Sequence, residues 1–412
     1  MKRKFIPSIL LALSSQFSLY AQQVMVAGPG AVITVQSNAS MYVEGGIALD
    51  DHSKLYNEGS LTVSKTGTAA ADFIEAGSSP YNHGNGKIIF SGAGVQKMHS
   101  TNQFGQIEIN NGGLYLGSDA NALRWVLNTG NINTGSYSAI VLSADADALI
   151  AGSGNEGFAH SWVNGNLRRY VDPKNVNSYF LPVGNIDKPF PARMDDLSAN
   201  PLSGIRFINA SFQSISGDDR GLKIAMPGKA CTSVNETGVW QIVPDGVPVG
   251  GNYGLTFFTS GFNLLNSLEY AIVNRPAASY QAADWMIPVG EPLTGLPASD
   301  LARKKITSFG QFGIGVITRI LPAISYTDPL GSKSLRVYPN PVVDNTFYIE
   351  YSGSALSAVK LLGTDGRMVA CNYLVKKQGH VKVTLPAFLA KGIYTLEVET
   401  EKGLQSILIS LQ

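Results

Sequence analysis

Five histidines and four close pairs of aspartates are the residues best suited to chemistry in this chain, and their spacing decides what chemistry is open to them. His52, His83, His99, His160 and His380 stand apart. None has a second His or a Cys at ligand spacing, so no metal centre is expected. The acidic pairs are Asp50-Asp51, Asp145 with Asp147, Asp195-Asp196 and Asp218-Asp219. A glycosidase needs two carboxylates facing one another across the scissile bond. Adjacent residues of an extended segment point to opposite faces, so these pairs read as solvated turns. Asp145 and Asp147 offer two oxygens for Ca²⁺ on one strand face, but the residues around them do not follow an EF-hand loop. The stretch GSGNEG, 152–157, has the glycine spacing of a nucleotide-binding loop. Such a loop needs a strand before it and a helix after it, so that amides and the helix dipole meet the phosphates. The next ten residues, FAHSWVNGNL, read as a strand and a turn instead. No G-x-S-x-G elbow is present. His160 beside Trp162 could belong to a sugar-binding face, although a packed strand end is the plainer reading, and Trp240 and Trp285, set in apolar runs, read as core. No catalytic residue and no cofactor is implied, and the chain is expected not to be an enzyme.

The elements that must carry these residues are strands. Charged residues make up 15% of the 412-residue chain, against about 25% in an average soluble domain. Glycine, at 44 residues, is over-represented. Low charge with abundant Gly, Asn, Ser and Thr fits short strands joined by frequent turns, whereas amphipathic helices would need more Glu, Lys and Ala on their wet faces. The formal net charge of +1 gives no basic footprint for nucleic acid.

The first residues have the pattern of a signal peptide, 1–21: Lys2, Arg3 and Lys4, then the apolar FIPSILLALSS, then a cleavage site after Ala21. No later run reaches the length of a membrane-spanning helix. Residues 22–166 contain VITV, MYV, KLYN, LTV, KIIF, QIEI, LYL, WVL and AIVL, each apolar at alternate positions and each followed by Gly, Asn, Ser or Asp. That is strand-turn-strand grammar. A β-solenoid and an antiparallel sandwich both fit. Steps such as GSLTV, NNGGLYL and TGNINTG favour the solenoid, with Gly and Asn at corners that need positive φ. No fixed period can be read. Residues 167–320 alternate through SGIRFINASF, GVWQIVP, YGLTFFTS, LEYAIVNR and FGIGVIT, which suggests a β-sandwich. Within SYFLPVGNIDKPFPARM three prolines point to an edge strand or loop. Residues 321–334 form a Pro- and Gly-bearing linker.

Residues 335–412 restart the alternation. TFYIEY and HVKVTLP alternate strictly, Asp365-Gly366 between two apolar runs signals a hairpin, and GIYTLEVET and LQSILISL supply two last strands. About seven strands in so short a piece have the proportions of a small Ig-like sandwich. Pro339 and Pro341 each lack an N–H and would blunt a sheet edge.

Taken in order, YPNPVVDNTFYIEY, TDGRMV and LAKGIYTLEVETEKG resemble the type A C-terminal sorting domain carried by cargo of the type IX secretion system in the Bacteroidota. Tyr338, Pro339, Asn340 and Pro341 match the opening motif of that family, Asp365, Gly366 and Arg367 its central hairpin, and Gly392, Ile393 and Tyr394 its penultimate strand. The last strand, LQSILISLQ, lacks the basic residue often found there. The resemblance implies that the secretion machinery recognises this domain after export to the periplasm and carries the protein across the outer membrane. It also implies that in many members the domain is then removed, with attachment to surface lipopolysaccharide or release. The chain is thus expected to be an all-β, exported, cell-surface or secreted protein of structural or adhesin-like character, with a glycan or cell-surface ligand as partner. The alternative is a polysaccharide-active enzyme or carbohydrate-binding protein on the same scaffold.

Overall fold

A computed structural model of the chain describes residues 24–66, 72–77, 81–214, 222–226, 229–262, 264–265, 268–294, 300–319, 335–351, 356–363, 367–369, 371–377, 379–387, 389–400 and 403–412. The expected signal peptide at 1–21 and linker at 321–334 lie outside these residues. The chain divides into two compact units on either side of the Arg319–Ile320 bond. The protein is all-β; among the described residues the helical segments are short 3₁₀ turns such as Glu156–Phe158.

The first unit opens as a β-solenoid. Its short strands do not fold back on their sequence neighbours but pair, in parallel, with the equivalent strand one coil later. One ladder runs through Val24–Ala27, Gly46–Leu49, Phe73–Glu75, Gln96–His99 and Leu114–Leu116, and continues through Ile132, Val163 and Val183. A second runs through Ser40–Glu44, Ser60–Lys65, Lys87–Gly92, Gln103–Asn110, Ala120–Thr129 and Leu149–Ala151. A third begins with Val32–Val35 on Lys54–Asn57, and further along stacks Phe104, Ala122, Val141 and Arg169. Because strand side chains alternate, each inward residue lies on its counterpart in the next coil. Leu61, Ile88, Ile107, Trp125 and Leu149 make one such buried row. Full burial of each aliphatic member contributes about 1.5–3 kcal/mol.

Coil length explains why no period is visible in the sequence. Leu114 and Ile132, paired across one coil, are 18 residues apart, whereas Ile132 and Val163 are 31 apart. The excess chain sits between strands and leaves the ladders intact. The corners are held by asparagine. In Asn57-Glu58-Gly59, Asn82-His83-Gly84 and Asn111-Gly112-Gly113 the Asn Oδ1 accepts the N–H of the glycine two residues on. Asn57 Nδ2 also donates to Lys87 O, and Asn111 Nδ2 to Gln96 Oε1. Glycine is required where coils touch: Gly130 has φ +87°, and a Cβ on it would lie 2.2 Å from the carbonyl oxygen of Asn111.

A polar cluster lies in the solenoid core around Glu75. Glu75, in register with Leu49, is buried with His83 Nε2 3.3 Å from its Oε2, and Ser100 Oγ donates to the same oxygen. His83 Nδ1 faces Leu55 O at 2.9 Å, and its ring stacks on Phe104 with centroids 4.1 Å apart. Burial opposes ionisation of Glu75. The hydrogen bond and charge of His83, helped by Ser100 and Tyr81, outweigh burial and hold the carboxyl at about 2.

After Val163–Tyr170 the pairing turns antiparallel. Phe207–Gln213 lies on Val163–Tyr170, Val239–Pro244 on Phe207–Gln213, and Gly310–Arg319 on Val239–Pro244, with Glu269–Arg275 beyond. A five-stranded antiparallel sheet runs from Tyr179–Leu181 at one edge through Ala192–Asp195, Tyr253–Phe258 and Asp300–Ile306 to Glu291–Pro292; of the proline-bearing stretch expected to be an edge or loop, Tyr179–Leu181 is an edge strand, whereas Ala192–Asp195 is paired on both sides. Trp240 of the first sheet stacks on Phe257 of the second at 3.9 Å, and its Nε1 donates to Phe190 O at 2.7 Å. One buried cluster runs without a break from Ala27 through Trp240 to Ile314, so the solenoid and the antiparallel strands share a core.

The second unit has its own core, including Phe347, Ile349, Leu361, Val381, Val383, Leu396, Val398 and Ile409. Its described strands form two four-stranded sheets. One orders Arg336–Tyr338, Thr346–Glu350, His380–Thr384 and Asn372–Lys377; the other orders Met368–Val369, Leu356–Leu362, Gly392–Thr400 and Gly403–Leu411.

Two outcomes are expected. Asn111→Ala strands the buried N–H of Gly113 and should destabilise the first unit by about 1–3 kcal/mol in denaturant unfolding. For Glu75 the folded value is depressed, so the unfolded chain binds the proton first as pH falls, and the stability this group confers is lost between the ordinary value of 4.5 and about 2. The melting temperature should fall across that window, with a shallower slope in Glu75→Gln.

Candidate functional site

In the first unit the residues singled out for chemistry do not converge. His83 is sealed in the core, whereas His52, His99 and His160 are exposed at separate points of the solenoid. Asp195 is engaged on both oxygens, Oδ1 by Arg193 Nε at 2.6 Å and Oδ2 by Thr256 Oγ1 at 2.7 Å. Asp218-Asp219 lies outside the described residues. The turn at Asp145–Asp147 is occupied by a cation from the protein itself: Arg169 Nη2 donates to the carbonyl oxygens of Asp145 and Ala146 at 3.0 and 2.8 Å. Arg169 replaces an aliphatic residue in the inward row of the third ladder, and its guanidinium lies 4.9 Å from the ring centre of Tyr179. Burial lowers its pKa to about 10, with Tyr179 and Asp147 opposing the drop. The glycine-rich stretch 152–157 is a solenoid corner. Buried Asn155 donates to Leu127 O and accepts from the N–H groups of His160 and Ser161. Trp162 is buried and donates to Asn185 O, and Trp240 and Trp285 are core residues, as their apolar settings indicated. Among the described residues no group of three His, Cys, Asp or Glu is placed to hold a metal ion. No described helix is long and apolar enough to cross a membrane.

In the second unit the recognisable motifs do converge. Tyr338-Pro339-Asn340-Pro341 follows the strand Arg336–Tyr338 and lies along the outer edge of the last strand, Gly403–Leu411. Neither proline has an N–H to give, and the side chain of Asn340 takes over the pairing. Its Oδ1 accepts the N–H of Ser410 at 2.9 Å, and its Nδ2 donates to Leu408 O at 3.0 Å. Val342 then resumes backbone pairing, donating to Ser410 O at 2.7 Å and accepting from Gln412 N–H at 3.0 Å. The quartet therefore ties a strand of one sheet to the edge of the other. The ring of Tyr338 stacks on that of Tyr348, centroids 5.8 Å apart.

The other edge of the same last strand is the Gly392-Ile393-Tyr394 segment, paired as Gly392 with Leu411, Ile393 with Ser410 and Tyr394 with Ile409. Opening beside it is a cavity of about 510 Å³ lined by Gly363, Arg367, Val369, Leu389, Ala390 and residues 391–394. Tyr394 Oη donates to Ala390 O at 2.7 Å, which pins the cavity wall. Asp365 and Gly366 lie outside the described residues. The chain on both sides of them has hairpin geometry: Leu362 pairs with Met368, and Gly363 N–H donates to Arg367 O at 2.9 Å. Arg367, Gly392 and Tyr394 thus meet at one cavity, while Asn340 acts on the neighbouring strand edge. Lys391, which also lines the cavity, was not singled out in the sequence although it directly precedes the Gly392 motif. The pairing of Asn340 with Leu408 and Ser410 spans about seventy residues and leaves no local signal.

The family described as the secretion system C-terminal sorting domain matches residues 336–410. Comparison with curated proteins and comparison with solved structures each find no match to the chain. The matched segment coincides with the unit that has its own core and in which Arg367, Gly392 and Tyr394 meet at one cavity, and its presence makes this chain a cargo of the type IX secretion system, exported to the cell surface or the extracellular space.

Proposed function

We propose that residues 24–319 are an adhesin-like passenger, a rigid β scaffold that presents a solenoid face to a glycan or another cell-surface ligand, and that the second unit, an Ig-like sandwich, is its delivery signal. In this reading the signal peptide at 1–21 starts export, and the type IX machinery recognises Tyr338–Pro341, Asp365, Gly366, Arg367, Gly392 and Tyr394. Protein that is not released is then retained on surface lipopolysaccharide.

The observation that carries the passenger reading is the outward side of the second ladder. Register stacks Tyr42, Thr62, Ile89, Glu108, Val126 and Ile150 in one row across six coils. Beside it run Ser40, Ser60, Lys87, Gln106 and Arg124. Rungs about 4.8 Å apart give a regular strip that mixes apolar and hydrogen-bonding side chains. An extended chain molecule can contact such a strip over many rungs. Tyr42 ends the first row as an exposed aromatic, a side chain type favoured at recognition surfaces.

A polysaccharide-active enzyme is the competing reading. In its favour, Glu108 shares this face with Lys87 Nζ, 3.9 Å away, and receives a hydrogen bond from Asn128 Nδ2 at 2.9 Å; the Arg124–Asp147 pair is nearby at 3.7 Å. Glu108 is one carboxylate without an opposing partner described at hydrolase spacing.

Deleting residues 335–412 should leave the protein in the periplasm; protease-accessible display of the truncated chain on intact cells would contradict the sorting assignment. On a glycan array the full chain should bind a single class of glycan, and replacing both Tyr42 and Ile89 with Ser should weaken binding about tenfold or more. The same preparation should release no product from a panel of plant, algal and host polysaccharides. Depolymerisation that disappears in Glu108→Gln would establish the enzyme instead.

A further inference from the structure

The strand Asn372–Lys377 lies at the edge of its sheet and pairs, among the described residues, only with His380–Thr384. Register places two of its side chains at the ends of core rows. Phe347, Val383 and Tyr373 form one row, and Ile349, Val381 and Val375 the other. The first two members of each row are sealed, yet Tyr373 is 42% exposed and Val375 49%. The core of this unit therefore runs off the edge of the layer that covers it. Leu374, on the opposite face of the same strand, is 57% exposed. Three consecutive large apolar residues on an edge strand whose outer N–H and C=O groups face no described neighbour form a template for strand addition.

The sequence of that edge specifies what fits it. Antiparallel pairing of the strand with itself must keep Tyr373 and Val375 on the core side in both copies, so the two-fold axis passes through a residue and not between residues. Centred on Leu374, the pairing sets Leu374 opposite Leu374 and Tyr373 opposite Val375, and it leaves the bulge between Val375 and Lys377 outside these core pairs. Both open core rows are then prolonged by an apolar side chain of the other copy, and no lysine faces a lysine. Centring on Val375 would set Leu374 against Lys376 and Tyr373 against Lys377, and centring on Tyr373 would set Leu374 against Asn372. We propose that the sorting unit is a self-association module: two copies of this chain pair through Asn372–Lys377, antiparallel and centred on Leu374, into a continuous eight-stranded sheet.

This arrangement has a test that an unfolded variant cannot imitate. Sedimentation equilibrium of the full chain should show reversible dimers. Leu374→Lys and Leu374→Glu each place two like charges face to face across the axis, and each should weaken self-association by about tenfold or more. Mixed in equal amounts, the two variants should recover dimers, because Lys then faces Glu. A wild-type chain that stays monomeric throughout the concentration series would overturn the proposal. So would dimers indifferent to both substitutions, or a mixture that fails to recover. A monomeric chain whose export is nevertheless blocked by Val375→Lys would assign the edge to a strand of another protein and would equally exclude the second copy.

Discussion

The fold depends on one requirement: every backbone N–H and C=O at a corner of the solenoid must find a partner where the regular ladder is interrupted. Strand interiors satisfy this requirement by register alone. At the corners the chain turns away from its ladder neighbour, and a polar group left buried there would cost about 1–3 kcal/mol. Asn57 and Asn111 supply the missing bonds from their side chains, one amide serving a glycine N–H in its own turn and an acceptor beyond it. Glycine is needed beside them because the neighbouring coil's carbonyl occupies the space a Cβ would take. The low charge and the Asn- and Gly-rich composition are consequences of this geometry. The apolar rows inside can be long and uniform because the corners carry the polar burden.

The same chemistry recurs in the sorting unit for a different purpose. Asn340 imitates a strand backbone, accepting from Ser410 N–H and donating to Leu408 O, between two prolines that can donate nothing. One side chain closes the edge of the last strand and ties the two sheets together. The opening motif of the domain is thus structural as well as recognisable, and its partners belong to the chain's own C-terminal strand. The edge strand Asn372–Lys377 has no such closure described, and the contrast between the two edges of one small unit is what draws attention to it.

Much of this organisation was legible in the sequence, and the reasons for the remainder are physical. Alternating apolar triplets identified the strands, and Asn and Gly at their ends identified the corners, because both are local properties of a few residues. Coil length was illegible: ladder partners are 18 residues apart at Leu114 and Ile132 and 31 at Ile132 and Val163, so no period survives. Nothing in the local sequence marks Arg169, yet it fills an inward position beside Val141 and caps the Asp145–Ala146 turn. Its burial depends on a turn more than twenty residues away. In the sorting unit the motifs were visible individually. The pairing of the opening motif with the last strand was not, since the link from Asn340 to Ser410 joins the two ends of the domain.

The parallel coils have a consequence for how the exported chain acquires its form. Each rung needs only the rung before it as a template, so the solenoid can grow progressively from either extremity, in the manner of a one-dimensional lattice, once a few coils have nucleated. A polypeptide emerging gradually from a membrane pore could lay down rung after rung as it appears, without waiting for distant segments. The antiparallel strands beyond Tyr170, whose partners come from widely separated stretches, would be the last to lock, and they would turn an extensible stack into a closed body.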